Sequence, residues 1–350
     1  MACFLPNVGN NVCSMSPGIV TRLEKMLKEC LAGGPCPFCG KTHETYIDGL
    51  PEDGTGFRVD FCNVCGVGFT MPKPPAAEIA GSYIMGSYRG KEGERFHPLV
   101  ESFVRIFRER RRRRLGHFVS RGRILDIGCG RGLFLKAMMD AGWTVAGVEL
   151  DPEIARETST CRGFPVSSGD PSQWGFPEGS FDVITLSHVL EHTPDPAGML
   201  SECRRLLHTG GILAIAVPNL GSLQAAFGLR HWFHLDIPLH LCHFTEKGLL
   251  SLLDRAGFKT VRVRHFDMEY NPFGWLQTLL NASGIRKNCL YDRVKRREFR
   301  ERGGGWFGGV DLLLTLALLP LYAPLSLALA LFESFALKRG GTIEVYASKA

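Results

Sequence analysis

The chain has 350 residues, 45% hydrophobic and 22% charged, which suits one large core plus a small module and excludes global disorder. Its formal net charge is +6, with the basic residues clumped, so local patches rather than the sum set what the surface attracts. Twelve cysteines would fit a disulfide scaffold, but Met1 to Gly18 has no Lys or Arg and no continuous apolar run. The reading is therefore no leader peptide and a reducing cytoplasm.

Residues 1–34 form an arm in which Ile19, Leu23, Met26, Leu27 and Cys30 fall at helical spacing before Gly33-Gly34-Pro35. Cys36-Pro37-Phe38-Cys39-Gly40 and Cys62-Asn63-Val64-Cys65-Gly66 follow as two matching knuckles. Each glycine lets the backbone turn so that amides face the sulfurs. Four thiolates in two such pairs suit tetrahedral zinc, so residues 35–75 read as a zinc ribbon with Cys36, Cys39, Cys62 and Cys65 as ligands. With no open coordination position, that zinc holds structure and does no chemistry.

Residues 76–120 read as a linker with a helix over 98–119, and 121–270 as the core. Ile124–Ile127, Val145–Val148, Val183–Leu186 and Ile212–Val217 read as buried strands separated by helical patterns. That alternation predicts an α/β fold, a doubly wound sheet with helices on both faces. The first strand runs into Gly128-Cys129-Gly130-Arg131-Gly132, a turn whose glycines admit a ligand close to the backbone. Position 133 is Leu, where the dinucleotide fingerprint has its last Gly. Asp126, inside the strand, can face a cationic amino group, and Glu149, at the end of the next strand, can take both hydroxyls of a ribose.

Leu125–Gly132, Gly169-Asp170, Phe181-Asp182-Val183-Ile184 and Leu206–Asn219 together resemble the class I S-adenosylmethionine-dependent methyltransferases, over 120–270 plus the last strand. The resemblance implies a Rossmann-like seven-stranded sheet whose antiparallel last strand is Thr342–Ala347, within the closing segment 342–350. It also implies that the Gly128–Gly132 turn, Gly128 and Gly130 included, holds the methionine part of S-adenosylmethionine. Glu149 then binds the ribose, Asp170 the adenine amino group, and Ser187 and His188 line the cofactor's underside.

Methyl transfer from a sulfonium needs in-line placement and, for an alcohol or carbon acid, a base. Ser187-His188-Val189-Leu190-Glu191-His192 follows the strand Val183–Leu186, and Arg230–Thr245 brings four histidines after the strand Ile212–Val217, both at the carboxyl edge of the sheet. His192 and His240 are the candidate bases, while His231 and His234 also suit packing and Thr245 a helix cap before 246–256. The Glu-His pair and the His-Leu-x-His-Phe-Thr segment resemble a subgroup that includes zinc-ribbon sugar C-methyltransferases. The sequence thus leaves open a small-molecule or lipid-linked acceptor, a sugar or polysaccharide, or a non-catalytic scaffold, and whether O, N or C is methylated.

Within the excursion 271–341, residues 310–335 are nearly free of charge apart from Asp311 and Glu333. Pro320 and Pro324 divide this stretch into halves too short to span a bilayer, so it reads as an apolar helical hairpin dipping into one leaflet. Arg293–Arg302 and Arg110–Arg114 suit anionic headgroups. A cytoplasmic protein peripheral to the inner face of a membrane follows. No aromatic-interleaved nucleic-acid motif is present, and nothing in the sequence sets the oligomeric state.

Overall fold

The computed structural model describes residues 35–50, 56–74, 96, 98–169, 171–294 and 306–350. The helix expected within 1–34, Asp170 and most of the basic run Arg293–Arg302 lie outside the described residues.

The ribbon is an antiparallel meander of β1 (Glu44–Leu50), β2 (Phe57–Cys62) and β3 (Val67–Met71). Helix α1 (Pro98–Gly116) leads into the core. There β4 (Arg123–Ile127), β5 (Thr144–Glu149), β6 (Val166–Ser168), β7 (Phe181–Ser187) and β8 (Leu207–Pro218) run parallel. They alternate with α2 (Leu133–Asp140), α3 (Pro152–Arg162) and α4 (Pro196–Leu206). After α5 (Leu223–Gly228) come β9 (Cys242–Phe244), α6 (Glu246–Arg255) and β10 (Phe258–Arg264). The chain closes with α7 (Asn271–Ala282), α8 (Cys289–Val294), α9 (Trp306–Leu331) and β11 (Thr342–Lys349).

The main sheet has the order β10-β11-β8-β7-β4-β5-β6, with β11 antiparallel to both neighbours. The strands read as continuous apolar runs because both faces are covered. Ile124 and Leu125 are adjacent on β4, yet Ile124 packs with Leu115, Met138 and Val183 while Leu125 packs with Ile184, Val217 and Val345. Truncating either to Ala should cost about 2–5 kcal/mol. On β11, Glu344 is 8% exposed and is met by Arg114 at 3.0 Å and by the Tyr346 hydroxyl at 2.7 Å. Arg114 also pairs with Asp267, Arg112 and Arg113 pair with Glu109, and Arg111 lies over the Phe134 ring. Much of the Arg110–Arg114 run is therefore spent on intramolecular contacts, not held free for headgroups.

The ribbon is joined to the core by a strand that sequence reasoning did not anticipate. β9 pairs with β3, Val67 with Phe244 and Phe69 with Cys242, completing a second sheet of order β1-β2-β3-β9. The Thr245 hydroxyl donates to Gly66 O at 2.6 Å and caps α6 by accepting from Gly248 N. A Cβ at Gly248 would stand 2.3 Å from Gly66 O, so the two backbones need glycine to meet.

The expected hairpin at 310–335 is instead one helix, α9, followed by a π-helical turn at Phe332–Ala336. Pro320 and Pro324 do not break it because it is fastened on both sides of them. Asp311 accepts from Arg286 N, Tyr322 OH meets Ser283 Oγ at 2.8 Å, and Ala330 packs with Trp275 and Leu279. By length and composition Gly309–Ala336 could cross a membrane, and only 11% of its most apolar window is buried against the rest of the described residues. The inward stripe carries Thr315, Ser326 and Glu333, whereas Leu313, Leu316, Leu321 and Phe335 are more than half exposed.

Candidate active site

Four thiols converge in the ribbon. Cys36 and Cys65 Sγ lie 3.7 Å apart, Cys39 and Cys62 Sγ 3.6 Å apart, and all four fall within 4.8 Å of one another. Zn–S bonds of about 2.3 Å in a regular tetrahedron put sulfurs about 3.8 Å apart, so the donor set fits that ion. The Phe38 amide points at Cys36 Sγ at 3.4 Å, as the knuckle requires. Burial raises the Cys36 and Cys65 thiols, a penalty on the thiolate form that a bound cation would offset.

The glycine turn follows β4 directly. Gly128, Gly130 and Gly132 all have positive φ, and a Cβ at Gly128 would come within 2.5 Å of Val189, so this loop must be bare backbone. The amides of Gly128 and Cys129 are tied to Val148 O at 2.8 and 3.0 Å, which locks the loop to the end of β5. Glu149 closes that strand, with Oε2 accepting from Gly130 N at 2.7 Å and Oε1 from Leu150 N at 2.9 Å. Burial pushes its carboxyl up, while those amides pull it back. Asp126 is buried and accepts from the Thr185 hydroxyl of β7. Asp126, Gly128, Gly130 and Glu149 thus gather at one edge, with Ser187 and His188 at the end of β7 beside them.

The histidines converge from two segments. His192 Nδ1 is 3.0 Å from Leu239 O; a carbonyl only accepts, so Nδ1 carries the proton. Its ring meets His240 edge-on at 4.6 Å, and Glu191, His192 and His240 place one ligand-type atom each within 4.8 Å. The two histidines singled out as bases are therefore neighbours, although 48 positions apart in sequence. His240, His243 and His234 are buried. Burial holds His240 well below the ordinary histidine range and His234 and His243 at about 3, so all three are neutral near pH 7.

His243 has a structural role. Thr70 of β3 gives its hydroxyl proton to His240 O at 2.6 Å and receives His243 Nε2–H at 3.1 Å. His188, His234 and Tyr270 form a further group, with His188 4.1 Å from Tyr270 and 6.5 Å from His234 by ring centroid. Sequence reasoning missed Tyr270 and Thr70 because their partners are far away in the chain. Glu191 stood in the Glu-His pair that the sequence singled out, whereas its partnership with His188, three residues before it at the mouth of a strand, was not read. A cavity of about 730 Å³ lies between ribbon and core, lined by Phe38, Phe69, Lys73, Arg204, Cys242 and Arg255; no cofactor-loop residue borders it.

A seven-stranded sheet with this order, a reversed last strand and a glycine turn backed by an acidic strand end defines a class I methyltransferase. A family model described as a methyltransferase domain matches residues 100–263. A ubiquinone biosynthesis O-methyltransferase of Thiobacillus denitrificans is 36% identical over 164 residues, 43% of this chain and 69% of that protein. One from Xanthomonas oryzae pv. oryzae is 36% identical over 196 residues, 49% of this chain and 76% of that protein. Against one from Xanthomonas campestris pv. campestris, at 37% identity, the match spans 46% of that protein's length. A crystal structure of a SAM-dependent methyltransferase from Archaeoglobus fulgidus superposes with TM-score 0.43 and 20% identity, over 79% of this chain and 100% of that one. The chain belongs to the class I S-adenosylmethionine-dependent methyltransferases, enzymes that pass a methyl group to an acceptor.

Proposed function

We propose that this enzyme methylates a hydroxyl of a small, apolar, lipid-linked acceptor while resting on the cytoplasmic face of a membrane. Bound S-adenosylmethionine supplies a methyl group on a positively charged sulfur. The Gly128–Gly132 turn holds its methionine part, Asp126 faces the amino group, Glu149 takes the ribose hydroxyls and Ser187 lines the underside. Asp170, the residue assigned to the adenine, lies outside the described residues. Zinc on Cys36, Cys39, Cys62 and Cys65 keeps β3 in place against β9, and with it the backbone that carries His240. The acceptor's proton goes to the histidine group, in which His192 and His240 are the sequence's candidates.

One observation carries the membrane half of this reading. α9 turns polar side chains inward and leucines outward, the reverse of a soluble surface helix. Its far end is fixed by buried Glu333, which accepts from Trp275 Nε1 at 2.6 Å and Gln224 N at 2.9 Å. Trp275 belongs to α7, the helix that starts one residue after Tyr270, so the apolar face and the acceptor edge share a support. The outward leucines suit acyl chains, and the O-methyltransferase relatives act in ubiquinone biosynthesis.

The test supplies purified enzyme with methyl-labelled S-adenosylmethionine and an extract of the source cells divided into aqueous, polysaccharide and organic phases. Label in the organic phase, with co-flotation of the protein on anionic vesicles, is the expected result. Label in the polysaccharide phase would overturn the proposal in favour of a sugar acceptor. Absence of both label and cofactor binding would leave the scaffold reading.

A further inference from the structure

His188 follows β7 directly with φ at 55°, a left-handed conformation that is strained for a non-glycine residue and tends to persist at functional sites. Its Nδ1 stands 3.2 Å from Glu191 Oε1. An ionised carboxylate only accepts, so the ring proton is on Nδ1 and the lone pair on Nε2. Nε2 is buried and meets no hydrogen-bond partner among the described residues. Glu191 is 1% exposed, and its second oxygen, Oε2, is likewise buried and unpartnered. The titratable groups around the pair are His192, His234, His240, Tyr270 and, on the Glu191 side, Cys242 of β9. A buried carboxylate facing an imidazole fixes the tautomer and stabilises the imidazolium once it forms.

We infer that His188 is the base that takes the acceptor's proton and that Glu191 is its positioning residue. The inference rests on the O-methyl reading above and deepens it. His192 has its Nδ1–H on a neutral carbonyl, and His234 and His240 are packed into the protein with no carboxylate among the described residues on their Nδ1, so His188 is set apart by pairing an unpartnered Nε2 with a carboxylate behind the ring. In the step, the acceptor's O–H proton passes to His188 Nε2 and an oxygen lone pair forms the new O–CH3 bond. The methyl–sulfur bond breaks with its electron pair going to sulfur, which becomes neutral. The positive charge ends on the imidazolium, against Glu191. A role for His188 in lining the cofactor, which the sequence resemblance implies, gives way to a role toward the acceptor.

The experiment uses the full chain in detergent micelles with 4-octylcatechol as acceptor probe, comparing wild type, His188→Gln and Glu191→Gln. His188→Gln should lower kcat by about 10²–10⁴-fold and remove the base limb of the pH–rate profile. Affinity for S-adenosylhomocysteine by calorimetry should stay within about threefold, since the lost interaction acts in the transition state. Glu191→Gln should move the base limb to lower pH, because the imidazolium loses its counter-charge. Weaker cofactor affinity with kcat retained, an unchanged pH profile in both variants, or a wild-type rate that requires added Mg²⁺ would each overturn the assignment. A wild type that binds cofactor but methylates neither probe nor lipid extract counts against the acceptor reading instead. In that event ring-¹⁵N histidine NMR decides: His188 protonated on Nδ1 in wild type but not in Glu191→Gln supports the pair. Protonation on Nε2 in wild type sinks it.

Discussion

The two halves of the catalytic edge proposed above, one for the cofactor and one for the acceptor, are built by different means. The cofactor half uses consecutive backbone: Asp126, the glycine turn and Glu149 come from β4, β5 and the turn after β4, and their bonds run between neighbouring strands. The acceptor half is assembled from the end of β7, the 230–245 segment, the start of α7 and, through Thr70, the ribbon. A site made of local backbone stands on one core. A site made of distant side chains inherits the stability of every module that supplies one.

The sharpest way to break this contrast is to disrupt the four-cysteine cluster proposed to hold zinc. Cys62→Ser should undo the ribbon, release β3 from β9 and lower the melting temperature by roughly 10 °C or more, as loss of a structural metal worth several kcal/mol implies. Turnover should vanish while cofactor affinity by calorimetry changes little. An equal fall in both would mean the halves are not separable.

Acid should act on the same half. His234, His240 and His243 are held below their unfolded values, two of them at about 3, so the unfolded chain binds more protons once pH drops under about 6.5. Their contribution is complete above that pH and is lost progressively as pH falls toward 3, by up to about 1.4 kcal/mol per unit for each group. Chemical denaturation between pH 7 and 5.5 should show this slope, and His243→Asn should reduce it by about one proton. A pH-independent midpoint over that range would contradict the buried neutral assignment.

Glu149→Gln probes the other half. Loss of the charge-assisted hydrogen bonds proposed between Glu149 and the ribose hydroxyls should raise the cofactor Kd by about 10–10²-fold. The pH slope of stability between 7 and 5.5 should keep the form set by the histidines. A change in that slope as large as the change in affinity would erase the distinction.

The same contrast explains what was legible in the sequence. The juxtaposition of the glycine turn with Asp126 and Glu149 was legible because these residues lie in adjacent elements at fixed spacing, and the convergence of the two cysteine knuckles was legible for the same reason. β11 was legible because Thr342–Ala347 is a short apolar run after a long excursion, matching a sheet that needs one more strand. β9 was not: three residues, Cys242–Phe244, carry no strand period of their own and are a strand only because β3 presents its edge. The pairing of His188 with Tyr270 was hidden for the same reason. Two prolines suggested a hairpin at 310–335, since local propensity disfavours proline within a helix, but contacts at Asp311, Tyr322 and Ala330 outweigh it.

The smallest expected effect on folding belongs to the outer face of α9, and there the smallness is informative. Leu313 and Leu321 are 69% and 63% exposed, so Leu313→Ser with Leu321→Ser removes little packing and should alter stability by no more than about 0.5 kcal/mol per site. On a bilayer the same leucines would bury apolar surface at about 25 cal/mol per Å², so the double variant should leave anionic vesicles in a flotation assay that retains the wild type. Turnover of a water-soluble catechol should be preserved, because both side chains are mostly exposed on the outer face. If the variant still floats, or if wild type forms a dimer by sedimentation that the variant loses, the outward leucines serve a second copy of the chain. The coupling of apolar face and acceptor edge through Trp275 and Glu333 would then concern assembly, not substrate delivery.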